Sequence, residues 1–270
     1  LTTIWQTDEV LRRRPTPQEE ARGGLYVFEQ SLWEAVPMYI RSLSRALQET
    51  TGKELSEECM PVRFASWMGG DRDGNPNVTA KVTQRVLHMC RWIAADLYWR
   101  EIDTLRAELS MSHASEELRA LVGDVAEPYR ELLRGVKDRM ERTREWASAL
   151  LADREPPEGP VYRVPEELRE DLLLCKRSLE ATHASDVAAG RLQDILIRLQ
   201  CFGLTLVRLD IRQESEVHAE VASLVCSEFG EGDFLSWDEA QRVAFLRRKL
   251  QEPPRGLEGV PREGLVGEAL

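Results

Sequence analysis

The run Phe64-Ala65-Ser66-Trp67-Met68-Gly69-Gly70-Asp71-Arg72-Asp73-Gly74-Asn75-Pro76 decides the reading of this chain. A β-prone segment, Met60-Pro61-Val62-Arg63-Phe64, leads into it, and a long helical pattern follows from about Thr79. A strand that runs into a glycine-rich, charged turn and then a helix is where α/β folds place ligands. Gly69, Gly70 and Gly74 permit positive φ and a close approach to the backbone. Asp71, Arg72 and Asp73 set opposite charges side by side, each able to orient the other, and Trp67 adds a flat apolar wall. Most Gly/Asp turns are no more than tight turns with a solvated ion pair. A tryptophan and three alternating charges sharing one turn favour a ligand site here.

Around this stretch the pattern is helical. Pro15 and Pro17 break a helical end that carries Arg12, Arg13 and Arg14, and Thr16 or Pro17 opens the next helix, over about 18–49. Leu25, Phe28, Leu32, Val36, Tyr39, Ile40, Leu43 and Leu47 form its apolar face, Pro37 is expected to kink it and Gly52 to end it. A second helix over about 79–110 presents Val82, Val86, Met89, Trp92, Ile93, Leu97, Ile102 and Leu105. A short helix starts at Ser112 or Ser115, and a long one follows Pro128 to about Ala152. The proline- and glycine-rich segment 153–165 reads as an exposed, cleavable loop. A helical hairpin is expected over about 165–181 and 184–200, then a strand at Leu204–Ile211, then helices near 214–229 and 237–250, the last capped by Ser236 with Glu239. Beyond Pro253 no apolar period remains, so 253–270 is expected to be a loosely ordered tail on a domain of residues 1–252.

Composition narrows the function classes. The 270 residues are 42% hydrophobic and 31% charged, enough for a sizeable core. A net charge of −11 argues against nonspecific nucleic-acid or membrane-surface binding, though a local arginine cluster still suits an anionic ligand. No apolar run is long enough to span a bilayer. Cys59, Cys90, Cys175, Cys201 and Cys226 are scattered and odd in number, as expected of reduced thiols in a cytoplasmic protein. His88 has no second metal ligand at helical spacing, so it reads as a surface or satisfied core histidine.

A second motif lies at Phe202-Gly203-Leu204-Thr205-Leu206-Val207-Arg208-Leu209-Asp210-Ile211-Arg212-Gln213-Glu214-Ser215. Arg212, one residue past the strand, either holds a phosphate or carboxylate with its planar fork or forms a salt bridge with Glu214 or Glu216. Arg208 and Asp210 alternate on the strand and either face inward or pair with neighbouring charges.

Together, Ser66–Pro76 and Phe202–Ser215 resemble the signatures of phosphoenolpyruvate carboxylase. Thr7-Asp8-Glu9 with Arg14-Pro15-Thr16-Pro17, and Glu108-Leu109-Ser110-Met111, fall in the same order as in that family. The resemblance covers residues 1 to about 250, and the family's polypeptides are much longer, so an internal fragment is expected.

The resemblance implies a mainly α chain that forms the helical part of a TIM-like α/β barrel. Its two parallel barrel strands would lie near 60–66 and 204–211, with their C-terminal ends at one mouth, since two strands alone make no stable sheet. It implies carboxylation of phosphoenolpyruvate by bicarbonate to oxaloacetate and phosphate, with Mg²⁺ or Mn²⁺, in a cytoplasmic, allosteric homotetramer. In the family, carboxyphosphate forms first and an enolate held by the metal then attacks. Trp67 and Arg212 match substrate-binding positions, with Gly69, Gly70, Asp71, Arg72, Asp73 and Asp210 in support.

The family's base is a histidine in a His-Pro-Thr motif, and none of His88, His113, His183 or His218 is followed by proline. The metal carboxylates and the Phe-His-Gly-Arg-Gly-Gly loop are also missing, so no catalytic residue or metal ligand is assigned. Arg22-Gly23-Gly24 lacks the preceding histidine and lies inside a helical pattern. Arg12 and Arg13 are either a solvated basic end or, by the resemblance, part of a sugar-phosphate activator site; the family's arginine often directly follows the acidic triplet, whereas Leu11 precedes Arg12 here. Two function classes remain: an inactive piece of this carboxylase, or a free-standing helical anion-binding or scaffold protein derived from the same fold.

Overall fold

A computed structural model describes residues 14–254 and residue 256. Arg12 and Arg13, and most of the expected tail, lie outside the described residues. Thr16 caps the first helix, α1 (Pro17–Val27), with a capping box: its backbone N–H donates to the Glu19 carboxylate at 2.8 Å. One π turn, Phe28–Leu32, joins α1 to α2 (Trp33–Thr51), which Gly52 ends at φ 71°. Pro37 sits inside α2. It has no N–H for the carbonyl of Trp33, and that carbonyl accepts instead from Nε of Arg198 at 2.8 Å.

Thr79 caps α3 (Ala80–Glu108), Ser115 caps α4 (Glu116–Val122), and Pro128 and Pro165 start α5 (Pro128–Leu151) and α6 (Pro165–Ala181). After a tight turn with His183 at φ 61°, a short helical turn and a π turn at Ala188–Leu192 lead into α7 (Gln193–Phe202). The long pair α3 and α5 packs along much of its length and forms the centre of the core. The buried stripe of α3 runs through Val86, Cys90, Ala94, Tyr98, Ile102 and Leu105, so small residues set its close approach to α5. Trp92 is only half-buried. Three phenols lock this body: Tyr98 donates to the carbonyl of Gly203 at 2.9 Å, Tyr129 pairs with Ser178 at 2.8 Å, and Tyr162 donates to Asp171 at 2.6 Å. Burial pushes the Cys90 and Cys175 thiols up to about 12, which leaves them unreactive. Among the described residues no helix is long and apolar enough to cross a membrane.

The two strands are adjacent and parallel, as expected, but much shorter: β1 (Ala65–Ser66) pairs with β2 (Arg208–Leu209) in the register Ala65 to Arg208 and Ser66 to Leu209. The expected strand start at Leu204 is instead a turn, with Leu206 at φ 62°. Leu204, Leu206 and Val207 are all buried there, and an alternating strand cannot bury the consecutive pair Leu206 and Val207 on one face. The pair rests on an aromatic cluster: Phe64 stacks on Phe202 at 5.6 Å and meets Phe28 edge-on at 5.4 Å, and Phe202 stacks on Trp33 at 5.5 Å.

Two further expectations are revised. The segment 153–165 is a loop, exposed over most of its first half, but pinned in its second: Val161 and Tyr162 are buried, Tyr162 N–H donates to Thr143, and Arg139 and Arg142 hold the carbonyls of Val161 and Pro160. After α8 (Ser215–Glu228) a 3₁₀ turn, Phe234–Ser236, uses Ser236, whose hydroxyl donates to Asp233. Asp238 with Gln241, not Ser236 with Glu239, therefore caps α9 (Glu239–Lys249).

Candidate functional site

The glycine turn forms where β1 ends, and Asp71 bridges to Arg212 to extend the parallel pairing beyond the strands. Backbone N–H groups alternate across the seam: Asp210 donates to Ser66 at 2.8 Å, Arg212 to Gly70 at 2.9 Å and Arg72 to Arg212 at 3.0 Å. Gly70 is needed for this closeness, since a Cβ there would stand 2.2 Å from the carbonyl oxygen of Asp210. Gly69, at φ 80°, faces Val86 of α3, where a Cβ would meet Cγ2 at 2.5 Å. Met68 fills the space over Gly24 of α1, so Gly24 of the Arg22-Gly23-Gly24 run is a helical packing position, while Arg22 and Gly23 are exposed. The turn is thereby clamped to α1, α3 and β2.

This clamping brings the two motifs to one place. The Arg212 guanidinium lies over the face of Trp67, 5.9 Å from the ring centroid, within cation–π range. Trp67 is 56% exposed, a large apolar ring offered to solvent at the strand ends. Arg212 also pairs with Asp210 at 3.4 Å, with both side chains about half exposed, so the pair is weak and an incoming anion can compete for the fork. The alternative of a salt bridge from Arg212 to Glu214 is not realised: Glu214 accepts from the N–H of Gly74 at 3.3 Å and ties the far side of the glycine turn.

The mutual orientation expected of Asp71, Arg72 and Asp73 is corrected by the structure. Among the described residues no ion pair joins Arg72 to either aspartate; its guanidinium donates to Thr83 Oγ1 at 3.3 Å, back toward the start of α3. One oxygen of Asp71 and Nε of Arg72 are buried with no hydrogen-bond partner among the described residues. Adjacent residues point in different directions once the turn winds, so neighbours in sequence are poor partners here. Thr83 lies outside both motifs and was not expected at the site, and Glu214, weighed as a partner of Arg212, instead holds the glycine turn.

Arg208 lies four residues before Arg212, about 13 Å along an extended chain, and is exposed. His88 meets Trp146 edge-on at 6.4 Å, and burial lowers its pKa. Among the described residues no three His, Cys, Asp or Glu side chains are grouped to hold a metal ion, and Asp210 beside Arg212 is a single carboxylate. The residues present therefore do not fit a Mg²⁺ or Mn²⁺ site by themselves.

The family model for phosphoenolpyruvate carboxylase matches residues 1–259. The phosphoenolpyruvate carboxylase of Ectopseudomonas mendocina is 52% identical over 250 residues, covering 93% of this chain. That of Pseudomonas syringae pv. syringae is 50% identical over 250 residues, and that of Marinobacter nauticus 49% over 251, each again covering 93% of the chain. The chain spans about 28% of the length of these relatives. With both signature stretches inside the matched region, the chain belongs to the phosphoenolpyruvate carboxylase family.

Proposed function

We propose that this chain supplies the substrate-anion wall of a phosphoenolpyruvate carboxylase active site, at the C-terminal mouth of a parallel barrel that β1 and β2 begin. The observation that carries the reading is the Arg212 guanidinium over Trp67 at the end of the parallel pair. Arg212 is assigned to the carboxylate or phosphoryl oxygens of phosphoenolpyruvate, which its planar fork fits. Trp67 is assigned to the apolar methylene edge. The glycine turn and Asp210 hold these two in register, and Arg72 supports the turn through Thr83.

In the proposed reaction a bicarbonate oxygen attacks phosphorus and the bond from phosphorus to the enol oxygen breaks. Carboxyphosphate and the enolate of pyruvate result. Carboxyphosphate then releases carbon dioxide and phosphate, and the enolate carbon attacks carbon dioxide to give oxaloacetate. Negative charge moves among oxygens throughout, and a fixed guanidinium is suited to follow it. The divalent cation and the base histidine of the family find no fitted ligands or His-Pro pair in these residues, so no step is assigned to either here. The cytoplasmic setting, a homotetramer and an effector role for Arg12 and Arg13 belong to the same proposal.

Two measurements test it. The purified 270-residue chain is expected to form no oxaloacetate from phosphoenolpyruvate and bicarbonate above a protein-free control. In a polypeptide that joins this chain to the segments carrying the family's histidine and metal motifs, Trp67→Ala and Arg212→Ala should each depress kcat/KM for phosphoenolpyruvate by about a hundredfold. Turnover by the chain alone, or full activity of either variant, would overturn the reading.

A further inference from the structure

At the opposite end of β2 from Arg212 lies a cavity of about 630 Å³ whose charged lining is Arg63, Arg91, Arg169, Arg208, Glu58 and Glu166. The lining thus holds four arginines against two carboxylates in a chain whose net charge is −11. Elsewhere arginines in this molecule are mostly spoken for, as Arg41, Arg139, Arg144, Arg191 and Arg198 are by carboxylates. In the cavity, Arg63, Arg169 and Arg208 are exposed, and among the described residues none of their side chains has a hydrogen bond or ion pair. Glu58 and Glu166 share the lining without bridging to any of them.

The fourth arginine adds an independent observation. Arg91 is anchored by donation to the carbonyls of Tyr162 and, at 3.1 Å, Arg163, while its Nε is buried with no partner. Burial and the nearby charge of Arg163 lower its pKa, as expected where positive charge is under-compensated. Gln200 and Thr205 add neutral polar groups, and Phe64, Phe202 and Leu204 give the cavity a partly apolar floor. Concavity, convergent unpaired donors and an apolar floor are what a small-ligand site requires.

We propose that this cavity binds a small, doubly charged oxyanion of the phosphate class, held by Arg63, Arg169 and Arg208. Arginine forks match tetrahedral oxyanions bidentately, and three positive charges favour a doubly charged ion over a singly charged one. Arg63 directly precedes Phe64, and Arg208 N–H donates to the carbonyl of Phe64 at 3.2 Å, so two of the three are tied to the seam between the motifs. Binding would cross-link β2 to the segment before β1 and to α6, which carries Arg169.

Calorimetric titration of the full chain with inorganic phosphate, against chloride at matched ionic strength, tests this. Saturable binding is expected. The triple variant Arg63→Gln, Arg169→Gln, Arg208→Gln should weaken it at least tenfold, about 1.4 kcal/mol. Arg169→Gln alone, a change on an exposed helix position with circular dichroism as the control for folding, should weaken it severalfold. Arg212→Gln should leave the affinity within about twofold, since it is not among the lining residues. Absence of saturable binding, unchanged affinity in Arg169→Gln, or loss of binding in Arg212→Gln would each overturn the proposal. The Arg212→Gln arm separates this site from the one assigned to phosphoenolpyruvate.

Discussion

The helical body and the strand pair are built on opposite terms. In the body, α3, α5, α6 and α7 close around fully buried residues such as Tyr98, Tyr129, Leu133 and Met140, and its buried charged groups, Asp96 and Arg198, are paired internally. Arg198, with 3% of its side chain exposed, donates to the carbonyl of Trp33, pairs with Glu101 at 3.2 Å and Glu34 at 3.0 Å, and lies over the Trp33 ring. The strand pair is four residues held on one side by aromatics, with Trp67 and Ile211 more than half exposed and its arginines facing solvent. The body is complete as a packing unit; the strand pair keeps its polar groups and its outer edges available. The difference teaches where stability and binding are separately located, and substitutions should respect it.

The largest effect should come from the body. Arg198→Ala removes the donor for the carbonyl that Pro37 leaves free and one of the two arginines paired with Glu101, and it empties a fully packed site, so it should cost on the order of 3–5 kcal/mol in urea unfolding. A loss below about 1 kcal/mol would show that the network is solvated and the body less closed than described. Next comes chemistry at the strand ends, in the joined polypeptide. Arg212→Lys keeps the charge but loses the fork and should remove about 2–4 kcal/mol of transition-state stabilisation. Arg72→Lys, directed at Thr83, should lose less, and steady-state kinetics with equal losses at both would erase the distinction between them.

Gly70→Ala tests the seam that links the two regions. Its Cβ would press on the Asp210 backbone, so a loss of about 1–3 kcal/mol is expected, with faster hydrogen exchange at the Arg212 amide than in α5. Uniform acceleration across the body would mean that strands and helices open as one unit. Smallest of all, Trp67→Ala should change the unfolding free energy by no more than about 0.5 kcal/mol, because the ring is mostly in water. A large destabilisation there would move Trp67 from the binding face into the fold.

Much of the arrangement was legible from local chemistry. Thr16, Thr79, Ser115, Pro128 and Pro165 mark helix starts because a free backbone N–H needs a nearby acceptor, or a proline that lacks one. The approach of Trp67 to Arg212 followed from two strand ends that must share a side if the strands run parallel. The turn at 203–207 was not legible, because Leu204, Leu206 and Val207 satisfy a strand pattern while the body buries all three. Nor was the cap at Asp238, since Ser236 was equally competent until Phe234, Trp237 and Phe245 packed together.

By itself, then, the sequence determined the family signatures and most helix limits, each of which depends on residues close along the chain, and the resemblance those signatures carry led to the pairing of the two motifs. Only the tertiary structure decided that Arg72 reaches Thr83, that Arg198 replaces the donor missing at Pro37, and that Arg63, Arg169 and Arg208 share a cavity. These are contacts between distant segments, and a side chain's partner is set by which groups the packed helices leave unpaired, a quantity no local pattern carries.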